Sequence, residues 1–503
     1  MNPVRRSPAW LRSLLSFALV TAPMSALAQV NRSEFSLDTQ LTATDNVDLA
    51  APGAERDDVL LRLTPRLKFG RDGGRLKLDA DVGAAFVGST RGTRSDRVLP
   101  DALAKAELIV VERLMFLEAN ADLRQVEENP FGPRAAGDLD QDTRLAGTLR
   151  FSPYLRAALS STTSAEARWE GIWTRYKDTV VGDSRTRRAL GKVESQPLPV
   201  GWLLELSQET TDSPNPLFSE VEIAQATATV TLAIASDWVV GVAGGRERIL
   251  LDGQRESDTL AGGRLYWVPG PRTEFALAAD RRFFGTGWNL SARHRTPASS
   301  IQLRFLREPA TAGSGLRGDG LAAFLDAILT TRNPDVAARS LEVNQIVATR
   351  EFSAGLPSAI SITAPYPQLR TAAEVAWVHL SPRTAITVAA FGEERVRLER
   401  QGVPSGGATD SDVRQASVSL GWNRRLSRQL GVDIAAALSR VAGLGSREGD
   451  LSREASVRLS FISNLSPRLN ATYGLGARRA RTNVTGLNPF DETSAFAGFT
   501  YRF

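Results

Sequence analysis

From Val59 to the last residue the chain is written in segments of about ten residues in which apolar and polar side chains alternate, with polar turns between them. Val59, Leu61, Leu63, Leu67 and Phe69 share one face, while Arg62, Thr64, Arg66 and Lys68 share the other. After the turn Arg71-Asp72-Gly73-Gly74, Leu76, Leu78, Ala80, Val82, Ala84 and Phe86 oppose Lys77, Asp79 and Asp81. A period of two is the mark of a strand, because successive side chains leave it on opposite faces. The pattern returns from Ala102 to Val110. Past a tight turn at Glu112-Arg113, Met115, Leu117, Ala119, Ala121 and Leu123 face away from Glu118, Asn120, Asp122 and Arg124. It recurs from Ala224 to Ile234 and again near the end, and no domain boundary interrupts it.

The amino terminus reads as an export signal, residues 1–28. Arg5, Arg6 and Arg12 form a basic start, Leu14 to Ala22 an apolar stretch, and Ala26-Leu27-Ala28 a small-x-small cleavage site. The remaining residues, 29–503, form one domain. No later segment approaches the run of about 18 apolar residues that a membrane helix needs, so an exported chain of this kind is either soluble or spans a bilayer as a closed barrel. A secreted all-β sandwich, repeat or β-helix is the soluble alternative.

The connections favour the barrel because they alternate between short and long. Arg71 to Gly74, Ser236-Asp237, Pro269 to Arg272, Ser381-Pro382 and Asn464 to Pro467 are short, whereas Gly88 to Leu99, Glu127 to Asp142 and Glu308 to Ser340 are long. An all-β, transmembrane antiparallel barrel follows, with both termini periplasmic and about 24 strands, or about 20 to 22 if marginal strands at Phe283 to Trp288 and Leu356 to Thr363 do not form. Trp202, Trp238, Trp267, Trp377 and Trp422 lie beside short connections, as an interfacial aromatic girdle requires. The chain ends on alternating aromatics, Phe499, Tyr501 and Phe503, an ending that resembles the signal by which outer-membrane proteins engage their assembly machinery. In the longest loop, about residues 309–340, Leu321, Phe324, Leu325, Ile328 and Leu329 recur at helical spacing, which predicts a short helix.

Chemistry finds little foothold. His294 and His379 are the only histidines, and there is no cysteine, phosphate-binding loop or dinucleotide fingerprint. We expect no enzyme, no catalytic residue, no metal and no cofactor. Asp138, Asp140 and Asp142 are spaced like part of a calcium loop but lack its glycine and distal glutamate. The formal charge of +5 falls to +2 once the three arginines of the export signal are removed, and basic and acidic residues are interspersed, which excludes a nucleic-acid partner. What remains is the inward face. Arg62, Arg66, Lys68, Lys77, Asp79, Asp81, Glu118, Asp122 and Arg124 are the lumen-lining candidates, a mixed-charge wall suited to a hydrated polar solute or serving only to pair across strands.

The segment WVPGPRTEFALAADRRFFGTGWNLSARHRT, Trp267 to Thr296, resembles a family of barrels associated with PEP-CTERM and exopolysaccharide gene systems. Thr44-Asp45-Asn46-Val47-Asp48-Leu49, Asn129-Pro130-Phe131-Gly132 and Asn333-Pro334-Asp335 with Arg339 extend the likeness over most of the mature chain. Within it, Phe283-Phe284-Gly285 reads as a tight outer turn whose aromatics anchor at the membrane interface. The resemblance implies a channel or export component beside surface-polysaccharide synthesis, with outer-membrane lipid, the barrel-assembly machinery, polysaccharide and periplasmic export components as partners. It supplies no functional residues. A general porin and a non-conducting scaffold remain open.

Overall fold

The structure, a computed structural model, describes residues 30–127, 129–133, 143–177, 183–212, 220–251, 253–310, 367–398 and 412–503. The export signal, the acidic triplet at Asp138 to Asp142, the helix expected from Leu321 to Leu329 and the marginal strand at Leu356 to Thr363 all lie outside them.

The strands in chain order are β1 (Val30–Thr44), β2 (Asp58–Asp72), β3 (Leu76–Ser89), β4 (Arg97–Val111), β5 (Met115–Glu127), β6 (Thr143–Ala158), β7 (Thr163–Tyr176) and β8 (Ser184–Ser195). Then come β9 (Val200–Asp212), β10 (Val221–Ala235), β11 (Trp238–Leu251), β12 (Gln254–Gly270), β13 (Thr273–Arg282), β14 (Gly285–Arg295) and β15 (Ser299–Ala310). The last are β16 (Gln368–Leu380), β17 (Thr384–Arg397), β18 (Val413–Arg425), β19 (Leu430–Gly443), β20 (Leu451–Ser466), β21 (Leu469–Thr482) and β22 (Phe490–Arg502). Each pairs antiparallel with its sequence neighbours, and β22 pairs with β1 from Ser36 opposite Arg502 to Thr44 opposite Ser494. The sheet is therefore closed, with 22 strands, within the expected range of about 20 to 24. Strands such as β12, at 17 residues, run past the membrane belt and use up sequence that a ten-residue rule would divide in two. Pro309 and Ala310, expected in the helical loop, complete β15.

One rim carries both ends of the ring and the short turns, including residues 73–75, 236–237, 271–272, 381–383 and 467–468. The other carries the long connections, among them 45–57, 128–142 and 311–367. Directly opposed residues share a face, so the register assigns every side chain inward or outward. Leu41 opposes Leu61, Val230 opposes Val242, and Val418 opposes Leu438, and these belong to an outward belt of exposed apolar side chains. Only a closed sheet satisfies all its backbone groups in hydrocarbon, and only an apolar outer face tolerates lipid, so the fold is a transmembrane β-barrel of the outer-membrane type.

All five tryptophans expected beside short connections face outward near the short-turn rim, where Trp238 stacks on Trp267 at 5.3 Å between ring centroids. Phe499, Tyr501 and Phe503 also face outward, at the seam. Phe503 lies 5.0 Å from the Phe35 ring and donates its backbone N–H to the Phe35 carbonyl at 2.9 Å. An arginine on the lipid face at mid-strand should cost far more than one on the next residue, which faces inward. Ala228→Arg is expected to lower stability in lipid vesicles by about 2–4 kcal/mol, and Thr227→Arg, opposite Glu205 in the lumen, by less than about 1 kcal/mol. Urea unfolding of both variants in vesicles measures the difference.

Candidate functional site

Ion pairs line much of the inward face. On β2 to β4, Arg66 makes 2.7 Å ion pairs with both Asp81 and Asp101, with Lys68 4.0 Å from Asp81. The register explains the reach: Gly83 stands between Arg66 and Asp101, and a Cβ there would lie 2.9 Å from the Asp101 carboxylate. Glycine leaves the path open for the guanidinium to cross a strand.

A longer network runs over β5 to β9. Arg168 bonds Glu118 at 2.8 Å, Ser152 at 3.0 Å and Glu166 at 3.2 Å, lying over the Tyr154 ring at 3.9 Å. Arg156 pairs with Glu166 at 2.8 Å, and Arg188 bridges Glu170 at 3.1 Å and Glu209 at 2.7 Å. Each arginine offers a planar fork of donors, so one side chain ties two carboxylates on different strands.

On β10, β11, β18 and β19, stretches of the wall are made of small or hydroxylated residues. Thr227, Thr229 and Thr231 oppose Gly245, Ala243 and Gly241, and Ser417 and Ser419 oppose Ser439 and Ala437. Buried carboxylates stand among them and beside them, Glu393 and Glu247 included. Glu393 is fully buried and accepts from Arg370 at 2.5 Å, Arg395 at 2.8 Å and Gln415 at 2.6 Å. Arg370 and Arg395 are directly opposed like charges, and Glu393 neutralises the contact between them. Glu247 is held in the same manner by Arg282 and by Gln225 at 2.8 Å.

At the long-loop rim, segments fold inward and pack as three apolar clusters. In the first, Val47 and Leu49 of the β1–β2 connection rest on Leu60, Ala480 and Phe490, three residues whose side chains point into the lumen. Asn46 holds this turn, donating to the Ala50 and Asp491 carbonyls at 2.9 Å while its own oxygen accepts from Ala50 N–H at 2.8 Å. The second is centred on Phe131 of the β5–β6 connection, which packs on Val413, Val441 and Val484. Val413 and Val441 belong to β18 and β19, on the far side of the ring, so this connection reaches across the mouth. In the third, Phe283 and Phe284 pack with Val221, Ile249, Leu251 and Leu398, joining the ends of β10 and β11 to the end of β17.

The nine lumen candidates all occupy the inward face. Arg66, Lys68 and Asp81 form one cluster, Asp122 and Arg124 pair at 2.7 Å, and Glu118 belongs to the β5–β9 network. Arg62 donates to Thr64 at 3.3 Å, while Lys77 opposes Asp72 and Glu107, and Asp79 opposes Gly70 and Lys105. Sequence reasoning missed Glu166, Arg168 and Glu170, although their spacing of two was visible, and it misplaced Phe283 and Phe284. Gly285, at φ +97°, does make the tight turn, but the aromatics pack into the mouth rather than at the lipid interface, because the short β13–β14 hairpin places its tip against β10, β11 and the end of β17. The histidines face outward near the short-turn rim, His294 bonded to Thr273 at 2.8 Å and His379 stacked on Trp377.

The sequence matches no family model and no curated protein. Among solved structures, the chain is similar to the siderophore receptor PirA from Pseudomonas aeruginosa (9% identity, TM-score 0.42, 94% of this chain and 80% of that one). It is also similar to the ferric-catecholate import receptor Fiu from E. coli K12 (8%, 0.46, 94% and 82%) and the FrpB iron transporter from Neisseria meningitidis (10%, 0.44, 93% and 82%). At such identity the likeness extends to the barrel form and to nothing finer. Within the site, Glu393→Ala would strand two arginines and is expected to cost about 3–5 kcal/mol. Glu112→Ala, which breaks an exposed turn pair with Arg75, is expected to cost less than about 1 kcal/mol. Paired urea titrations of the refolded barrel read both values.

Proposed function

We propose that this barrel sits in the outer membrane with both termini periplasmic and conducts or guides a polar polymer, an exopolysaccharide, through its lumen. The observation that carries the reading is a ring of 22 strands whose inward face carries ion-pair networks and hydroxyls, with apolar side-chain contacts reaching across one mouth. A ring of this strand number, at a strand spacing of about 4.8 Å and a tilt of about 40°, averages about 44 Å across its backbone, wide enough for a hydrated chain when unobstructed. Opposed carboxylates, guanidinium groups and hydroxyls offer a sugar polymer many weak, exchangeable hydrogen bonds and no deep binding site, which suits passage rather than capture. All three clusters at the mouth contain residues of the segments by which the sequence resembles exopolysaccharide-associated barrels: Val47 with Leu49, Phe131, and Phe283 with Phe284.

Because the mouth is bridged by packing, a charge within that packing should open it. Planar bilayers containing the Phe131→Asp/Phe284→Asp variant are expected to show stepwise conductance at least severalfold above the wild-type protein. Silence from both proteins sinks the channel reading and leaves a scaffold. In a deletion strain, secreted polymer should be lost while intracellular synthesis continues; unchanged secretion overturns export and leaves a general porin.

A further inference from the structure

The register sets arginine directly opposite arginine at three places among the described residues: Arg370 with Arg395, Arg440 with Arg453, and Arg453 with Arg481. The first pair faces the lumen and holds Glu393 between its guanidinium groups. The other two form a ladder on the outward face of β19, β20 and β21, close to the long-loop rim. There Asp491 serves both Arg479 and Arg481, at 2.5 and 2.9 Å, and Arg440 and Arg453 are exposed with no carboxylate bonded to either among the described residues. Like charges directly across a strand pair destabilise it, and the nearby carboxylates of this face, Asp491 and Glu394, are bonded to Arg479, Arg481 and Arg414, so the ladder calls for an anion from outside the protein.

The same rows lead from the arginines into a shallow depression of about 590 Å³ on the outward face. One row runs Arg453, Arg440, Ala416, Gly392, Ala373, and the next runs Ala455, Leu438, Val418, Ala390, Val375. Alanines and a glycine replace the large apolar side chains found elsewhere on the belt, and a Cβ built on Gly392 would meet open space. A cationic ladder at the edge of a lipid-facing apolar trough complements a molecule with phosphate at one end and hydrocarbon at the other.

We infer that β16 to β21 carry an outward-facing site for a phosphorylated membrane lipid, its headgroup phosphates held by Arg440 and Arg453 and its acyl chains lying in the trough beneath them. With the termini periplasmic, this site faces the outer leaflet. It is independent of any conduction through the lumen.

The test titrates the full-length barrel, in neutral detergent, with a bisphosphorylated, multiply acylated glucosamine-disaccharide lipid and reads bound molecules by native mass spectrometry. The wild-type protein should retain the lipid at least tenfold more tightly than its dephosphorylated form. Arg440→Gln/Arg453→Gln and, separately, the trough-filling Ala455→Trp should each weaken binding at least tenfold while migrating as folded barrels in unheated gels. Without anionic lipid the double variant should melt at or above the wild-type temperature, and with the lipid below it, a reversal that a purely structural role for these arginines would not produce. Equal binding by wild type and either folded variant, equal binding of the dephosphorylated lipid, or saturation by inorganic phosphate alone overturns the proposal. So does retention of an acidic protein, rather than lipid, by the arginines.

Discussion

Everything in this molecule depends on the pairing of β22 with β1. A sheet in hydrocarbon has no water to satisfy its edges, and each unpaired N–H or carbonyl there costs several kcal/mol. Closure removes both edges at once, with Phe503 N–H reaching Phe35 beyond the last opposed pair. It also fixes the facing of every residue in the wall, since a strand of period two in a closed ring has no freedom to slip by one without turning its charges into lipid. The arginine–carboxylate networks of the lumen and the leucine belt outside are two expressions of that single constraint.

Within the ring, the placement of charge is graded by what surrounds it. Exposed pairs at the turns, such as Arg75 with Glu112, contribute little. The networks through Arg168 and Arg188 cross several strands of the wall, as do those around Glu247 and Glu393, whereas stretches of β10, β11, β18 and β19 present small side chains and hydroxyls.

Much of this was legible in the sequence, because period two is a local property. The inward placement of Arg66, Asp81, Glu118 and Asp122 and the outward placement of Trp238 and Trp267 could be read from neighbours a few residues away. The mouth could not. Phe131 meets Val413 and Val441 nearly 300 residues later, and nothing in either segment records the other. Phe283 and Phe284 show the limit from another side: adjacent residues at a turn have opposite facing, and only the depth of a hairpin within the whole ring decides whether its aromatics meet lipid or lumen. The count of 22 strands falls within the range of about 20 to 24 that the sequence left open, a width that arises because extensions of a strand beyond the membrane carry the same alternation as the strand itself.

The reach of Phe131 across the mouth has a mechanical consequence. A hoop joined only by hydrogen bonds along its circumference resists stretching but flattens easily into an oval, because flattening changes the angle between neighbouring strands and breaks none of their bonds. A strut between opposite walls opposes that mode directly. The contact of Phe131 with β18 and β19 is such a strut, so the rim that holds it is braced across its width, whereas at the short-turn rim contacts such as Trp238 on Trp267 and Phe35 on Phe503 join neighbouring strands.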